Sequence, residues 1–309
     1  MYSSDRSSAK WRRLLPRGVG LLLVLVLLSC GREQQFRFVF MTDIHVQPEM
    51  RGAEGFRAAI EAVNSLRPRP AFVITGGDLV MDALEQNFAR ADSLYTLYLS
   101  LIKEFQMPVY HCIGNHEVFG LYVRSGVDPS HPEFGKEMFK KRIGEGRTYR
   151  SFDYGGWHFV LLDAVGFTPE RTYIGHVDSA QLAWLASDLA QVAKDTPIVL
   201  ALHIPLFSVS EQFARGPQAA LDRAGAVTNA LEVLKVCSGH HVPLVLQGHM
   251  HDVEEIVVRG THFITAGAVS GAWWNGPYRG FGEGFAVVDV KGTQFTWQYR
   301  EYGWEAAAK

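Results

Sequence analysis

Five short blocks carry the side chains able to do chemistry: Asp43-Ile44-His45, Gly77-Asp78, Gly114-Asn115-His116-Glu117, His203 and Gly248-His249-Met250-His251. They supply Asp, His and Asn together with a central Asp78. That mixed oxygen and nitrogen set suits two divalent or trivalent transition metals, with Mn, Fe or Zn as candidates. Two metals sharing one carboxylate clamp a phosphoryl group and ionise a water at neutral pH. The chemistry expected is therefore hydrolysis of a phosphate ester. Singly, each block is weak: an Asp after Gly is usually a turn or a cap, and a His at a strand end is usually only hydrogen-bonded. The weight lies in all five occurring together.

The elements that must position these blocks are legible around them. Residues 36–41 read as a short strand running into Asp43. Residues 54–66 show apolar positions at helical spacing (Phe56, Ile60, Val63) and stop before Pro68. Residues 71–75 are a second strand, leading into Asp78. An amphipathic helix is expected over 83–105, then a third strand over 109–113 that ends at Asn115. This strand–helix–strand rhythm predicts parallel βαβ units, whose ligands gather at the carboxyl ends of the strands. Residues 119–147, with Pro129, Pro132 and a short helix at 133–143, read as an insertion covering one side of the site. Segments 149–154 and 157–163 form a hairpin about Gly155-Gly156. A helix over 178–193 precedes the strand 198–202 that delivers His203. A helix over 224–236 precedes the strand 242–247 that delivers His249. Strands at 253–258, 262–266, 285–290 and 294–300 complete the chain.

The ordered set, spanning residues 36–251, resembles the calcineurin-like metallophosphoesterase family. The resemblance implies an α/β fold, a four-layer α/β/β/α sandwich of the metallo-dependent phosphatase type. It also implies roles. Asp43, His45 and His251 would bind metal 1, Asn115, His203 and His249 metal 2, and Asp78 both. His116 would contact the phosphate and protonate the leaving oxygen, a task suited to an imidazole. Glu117 reads as a carboxylate that orients its neighbours. One departure is visible: Ser/Thr protein phosphatases continue the second block as Gly-Asp-x-Val-Asp-Arg-Gly. Here it runs Gly77-Asp78-Leu79-Val80-Met81-Asp82, without the Arg. Nor does a Tyr follow the block, as it does in purple acid phosphatases.

The start of the chain reads as an export signal. Arg12, Arg13 and Arg17 precede an apolar stretch over 18–28 that is short for a membrane span. Leu27-Leu28-Ser29-Cys30-Gly31 resembles a bacterial lipobox, in which the Cys is lipidated and becomes the mature N-terminus. The alternatives are a signal anchor with an incidental Cys, and a twin-arginine signal at Arg12-Arg13. The expected layout is a signal peptide over 1–29, a tether over 30–35, one domain over 36–304 and a stub over 305–309. The expected location is the bacterial cell envelope, on the periplasmic or surface side, anchored through lipidated Cys30. Residues 1–29 hold five Lys/Arg and one Asp, so the remainder has 25 basic and 31 acidic residues, a formal charge of −6. That balance argues against a nucleic-acid partner, which needs a basic face, and for a small phosphate-ester substrate.

Cys112 and Cys237 sit in apolar runs and are expected to be free buried thiols rather than a bridge. Adjacent Trp273 and Trp274, in a Gly-rich loop, cannot both pack inward. One is expected either to line a pocket wall or to cap the sheet edge. Outside the blocks, seven histidines, among them His111, His240, His241 and His262, read as structural or surface groups. A second functional class also fits: an envelope lipoprotein that binds a ligand or partner and keeps its metals for structure.

Overall fold

A computed structural model of the chain describes residues 34–306. The expected signal segment at 1–29, the lipidation site Cys30 and the first part of the tether lie outside the described residues, as does the end of the stub. Thirteen strands and six α-helices make up the described part: β1 (Gln35–Met41), α1 (Gly52–Asn64), β2 (Phe72–Thr75), α2 (Phe88–Leu101), β3 (Val109–His111), α3 (Glu137–Arg142), β4 (Arg150–Tyr154), β5 (Trp157–Leu161), β6 (Val165–Phe167), β7 (Tyr173–Gly175), α4 (Ser179–Leu189), β8 (Ile198–Ala201), α5 (Ser210–Arg215), α6 (Ala230–Val236), β9 (Leu244–Gln247), β10 (Val253–Val258), β11 (Thr261–Ala266), β12 (Gly284–Lys291) and β13 (Gln294–Glu301).

Two sheets result, ordered β13-β12-β1-β2-β3 and β10-β11-β9-β8-β5-β4, with a separate hairpin β6-β7. The central strands β1, β2 and β3 run parallel, as do β5, β8, β9 and β11. Side-chain alternation along each strand decides the layering. In β1, Phe38 and Phe40 point to the space between the sheets, where Phe72, Phe159, Leu161, Val199 and Leu246 meet them. Val39 and Met41 point the other way, onto Phe56 and Ile60 of α1 and Leu94 and Tyr98 of α2. In the second sheet Val160, Leu200 and Val245 face Leu185 and Leu189 of α4 and Val233 of α6. Helix, sheet, sheet and helix stack as four layers, as the resemblance implied. The aromatic filling between the sheets is dense, with Phe38 and Phe72 stacked at 5.2 Å and Phe152 and Phe159 at 5.0 Å.

Three helix boundaries differ from the pattern reading, each for a reason outside the helix. The helix expected from Ala83 starts at Phe88, capped by Asn87, whose side chain accepts from the Arg90 amide at 3.0 Å. Residues 83 and 84 pair instead with the segment bearing His116: the Ala83 amide donates to the His116 carbonyl and the Tyr122 amide to the Leu84 carbonyl. The helix expected from residue 224 begins at Ala230, because the Val227 and Thr228 amides donate to Pro205 and Gly175. Only Glu137–Arg142 is α-helical within the 119–147 insertion, beside a single 3-10 turn at Val123–Ser125. Arg142 ties it to Asp92 of α2 at 2.6 Å, and Arg171 donates to the Leu121 and Val127 carbonyls. Among the described residues, Cys112 and Cys237 are free and buried. Among the described residues, no helix is long and apolar enough to cross a membrane.

Candidate metal centre

All five blocks meet at the carboxyl ends of β1, β2, β3, β8 and β9, where parallel strands open a crevice. The backbone does something the sequence did not announce. Two-residue spacing suggested extended segments with both side chains on one side. Instead Asp43, His45, Asp78, His249 and His251 have φ of 54°, 45°, 50°, 73° and 58°, in the left-handed region. Each such non-Gly residue costs of order 1–3 kcal/mol, and such strain concentrates where a site must be held. The surrounding packing over-determines it: Asp43, His45 and His203 are completely buried, and Asp78 and Asn115 nearly so.

The side chains fall into two groups sharing one carboxylate. Asp43, His45 and His251 form one, and Asp78, His203 and His249 the other, each group with ligand atoms within 4.8 Å of one another. His45 Nε2 and His251 Nε2 are 3.1 Å apart, and Asp43 Oδ1 is 3.3 Å from His251 Nε2. His203 Nε2 lies 3.1 Å from Asp78 Oδ2, 3.1 Å from Asn115 Oδ1 and 3.3 Å from His249 Nδ1. Asp78 Oδ2 is also 3.7 Å from His45 Nε2, which places that carboxylate between the groups.

The hydrogen bonds identify what is missing from these clusters. His203 Nδ1 donates to the Gly76 carbonyl at 2.9 Å, and His251 Nδ1 to the Gly271 carbonyl at 2.6 Å. A neutral imidazole that donates through Nδ1 has a bare Nε2. Both Nε2 atoms therefore turn lone pairs toward carboxylate oxygens and other imidazoles. Lone pairs converging in a buried space require cations, so the donors present fit divalent metal ions.

Without cations the cluster balances itself with protons. Burial opposes charge on His203, but Asp78 and then Asp43 outweigh it and lift the imidazole to about 9. Burial likewise opposes charge on Asp43, and His251 with its hydrogen bond overcomes that, lowering the carboxyl to about 2. Burial and the charge of His203 push His249 down to about 4.

Glu117 is the hub beneath the site. Its carboxylate accepts the amides of Asp78 at 2.9 Å, Leu79 at 2.7 Å, Val80 at 3.1 Å and Gly114 at 2.7 Å. Four donors on one buried carboxylate lock the turn carrying Asp78 to the turn carrying Asn115. Burial and the Asp78 charge still push it up to about 7, against the pull of the amides. The turns can touch only because residue 114 is Gly: a Cβ there would stand 2.2 Å from the Asp78 amide nitrogen.

His116 stands at the mouth. Its ring Nδ1 is bonded to the Met81 carbonyl, its amide donates to Asp78 Oδ1 at 2.9 Å, and its Nε2 is 3.8 Å from Asp78 Oδ2. With Nδ1 so committed, Nε2 faces the cluster. It also lies within reach of His45 and Asp78, so geometry alone permits it as a ligand.

The two tryptophans divide as only one could pack inward. Trp274 is buried, its Nε1 donating to the His45 carbonyl at 2.9 Å. Trp273 is 36% exposed, with its ring 4.5 Å from His251 and 5.8 Å from Tyr278. It lines the site wall. Tyr173, edge-on to His249 at 6.1 Å, stands on another side. Tyr173 and Arg279 were not singled out in the sequence, and no motif surrounds either; the only signal was the turn chemistry of Thr168-Pro169 between two aromatic runs. Of the other histidines, His111 bonds to Thr75 and Tyr98, His158 bridges Asp153 and Asp188, and His262 pairs with Glu255. A cavity of about 900 Å³ lies at the opposite ends of the strands, beside Phe36, Arg37 and Lys291, and none of the candidate residues lines it.

Comparison with known proteins agrees with this geometry. The family model described as calcineurin-like phosphoesterase matches residues 36–253. A 3′,5′-cyclic-nucleotide phosphodiesterase of Nostoc sp. is 26% identical over 219 residues, 68% of this chain and 70% of that protein. Purple acid phosphatase 15 of Arabidopsis thaliana is 30% identical over 152 residues, 48% of this chain and 25% of that one. The solved structure of purple acid phosphatase PPD1 from yellow lupin seeds matches with a TM-score of 0.56 at 15% identity. That match covers 88% of this chain and 52% of the other, and shows likeness of fold.

Proposed function

Since the chain belongs to the calcineurin-like phosphoesterase family and is a metal-dependent phosphoester hydrolase, we propose that it works with two metal ions on a small, soluble phosphomonoester or phosphodiester at the cell envelope. The observation that carries the two-ion reading is the pair of donor clusters on either side of Asp78. In this reading Asp43, His45 and His251 hold one ion, Asn115, His203 and His249 the other, and Asp78 both. Bound ions would supply Lewis acidity toward the phosphoryl oxygens and an attacking water.

The chain's own residues do the rest. His203 and His251 are kept in the correct tautomer by the Gly76 and Gly271 carbonyls. Glu117 fixes Asp78 relative to Asn115 through main-chain amides. His116, oriented by the Met81 carbonyl, donates a proton from Nε2 to the departing oxygen. The names of the relatives include a cyclic-nucleotide phosphodiesterase and phosphatases, which supports a breadth from monoesters to cyclic nucleotides. The missing Arg after Asp82 and the acidic balance argue against phosphoproteins and long polyanions. The envelope location rests on the leader and on Cys30: Cys30→Ser should move the protein out of the membrane fraction with its catalysis intact, and persistence there would contradict the lipid anchor.

The decisive test pairs elemental analysis with turnover of p-nitrophenyl phosphate and bis(p-nitrophenyl) phosphate after reconstitution with Mn, Fe or Zn. Two ions per chain and metal-dependent turnover are expected. Asp78→Asn should lower the content to one ion or none and abolish turnover, because a neutral amide bridges two cations poorly. Two retained ions with full turnover in that variant would defeat the assignment. Two bound ions without turnover on any ester would favour the structural-metal, ligand-binding class instead.

A further inference from the structure

A recess of about 350 Å³ opens beside His249, lined by Tyr173, Tyr278, Arg279, Glu211 and Arg215 among others. Nothing in the hydrolytic reading uses it. From it we infer a subsite for the organic part of the substrate, one that takes a sugar or sugar-like polyol carrying the phosphate. The inference rests on the proposed hydrolysis and narrows its substrate class.

Four observations lead there. First, position: the recess shares His249 with the metal centre, so an ester whose phosphorus sits between the donor clusters can extend into it. Second, charge: Arg215 and Arg279 line the recess together with Glu211 and Asp222, two cations and two anions. The recess has no formal charge, so it selects neither a second phosphate nor an amine. Third, donors and acceptors: Arg215 meets Glu211 through Nε at 2.5 Å, while Arg279 Nη2 is a loose 3.7 Å from the same carboxylate. Guanidinium N–H groups beside carboxylate oxygens match vicinal hydroxyls, each of which both donates and accepts. The Tyr173 hydroxyl makes no hydrogen bond within the described residues and is available to the ligand. Fourth, surface: two phenol rings, Tyr173 and Tyr278, line the recess and give apolar surface to the C–H side of a sugar ring.

Size sets the upper limit. The volume corresponds to about twelve waters at roughly 30 Å³ each, near the lower end for ligand pockets. A hexose ring with its substituents has comparable bulk. Arg279 is fixed by Ser210 Oγ at 2.8 Å and Asp252 Oδ2 at 3.1 Å. A separate, more apolar cavity of about 570 Å³, with Phe213 and Phe281, also has Arg279 in its lining. That side chain stands between a polar compartment and an apolar one.

The test compares glucose 6-phosphate with cyclohexylmethyl phosphate, primary esters that carry a six-membered ring at the same distance from the phosphate and differ chiefly in hydroxyls. The metal-loaded full chain should prefer the sugar ester in kcat/KM by at least about tenfold, the contribution of one or two hydrogen bonds to charged groups. Arg215→Ala should bring the ratio close to one, mainly through KM. Tyr173→Phe, which keeps the ring and removes the hydroxyl, should reduce it in part. Equal kcat/KM for both esters in the unaltered protein overturns the subsite and leaves phosphoester hydrolysis standing. If neither ester is hydrolysed, saturation-transfer NMR decides the subsite alone, and the functional reading itself fails only if p-nitrophenyl phosphate and bis(p-nitrophenyl) phosphate are untouched as well. Binding of glucose 6-phosphate that weakens in Arg215→Ala, with none for cyclohexylmethyl phosphate, upholds the subsite; indifference to the hydroxyls overturns it.

Discussion

His116 is gripped from both ends: its amide by Asp78 and its Nδ1 by the Met81 carbonyl. Removing the ring should therefore leave the other donors in place. His116→Ala is expected to keep both metals and lose turnover by about 10²–10⁴-fold, the range for a positioned acid. The loss should shrink for p-nitrophenyl esters, whose leaving oxygen needs little protonation. A collapse in metal content would make His116 a ligand instead. His203 yields a second prediction. In the metal-free protein it is raised to about 9 from its ordinary 6.5. Its folded pKa exceeds the unfolded one, so its contribution to metal-free stability is complete below about pH 6.5 and fades as pH rises through about 9. Coordination needs a bare Nε2, so metal binding near pH 7.5 should expel about one proton. Calorimetry in buffers of differing ionisation enthalpy reads that proton directly, and a value of zero would count against His203 as a ligand. These identities were legible because coordination chemistry restricts donors to a few residue types. Their left-handed backbone was not: Asp and His adopt it more readily than most residues, but that preference is too weak to mark five positions in advance.

Trp273 and Trp274 show how one loop separates holding from touching. Trp274→Ala should cost about 3–5 kcal/mol of stability, as for other buried aromatic truncations, and should loosen His45 through the lost bond to its carbonyl. Trp273→Ala should change stability by much less and raise KM for p-nitrophenyl phosphate more than for glycerol phosphate, since only a flat group gains from its exposed face. Thermal melts beside initial-rate kinetics separate the two, and equal KM shifts would remove Trp273 from the substrate wall. At this scale the parallel strands and their sequence along the chain were readable from short continuous apolar runs, buried on both faces in β2, β8 and β9. The β6-β7 hairpin was not, because its two strands are three residues each and half-exposed. It nonetheless delivers Tyr173. The starts of α2 and α6 were also hidden, since residues 83–84 and 227–228 have adequate helical patterns but commit backbone groups to distant segments: the Ala83, Val227 and Thr228 amides donate to His116, Pro205 and Gly175, and the Leu84 carbonyl accepts from Tyr122.

Across the whole molecule, the candidate ligands come from both sheets. Asp43, His45, Asp78 and Asn115 follow β1, β2 and β3 of one, whereas His203, His249 and His251 follow β8 and β9 of the other. Each cluster draws on both, so bound ions would cross-link the sandwich at its open end. Free ion at about a thousand times its dissociation constant should stabilise the fold by about 4 kcal/mol. Chelation should lower the melting temperature and speed amide exchange at the carboxyl ends of both sheets together. Exchange confined to one sheet would mean that the ions do not tie them. The aromatic core between the sheets, with Phe38, Phe72 and Phe159, is far from the ligands and should stay protected.

The seat of Trp274 against α1 has an optical consequence. A Cβ at Gly55 would lie 2.2 Å from the indole ring, and one at Gly52 3.0 Å, so this fluorophore is clamped and dry. Its neighbour Trp273 overlies His251, half in water. Trp273 and Trp274 thus make a sensing emitter and a reference emitter side by side among seven tryptophans, and the difference between the chain and its Trp273→Phe variant isolates the red-shifted sensing band. A paramagnetic ion held by His251 would quench the red band first, so occupancy of the centre can be followed on the unlabelled protein.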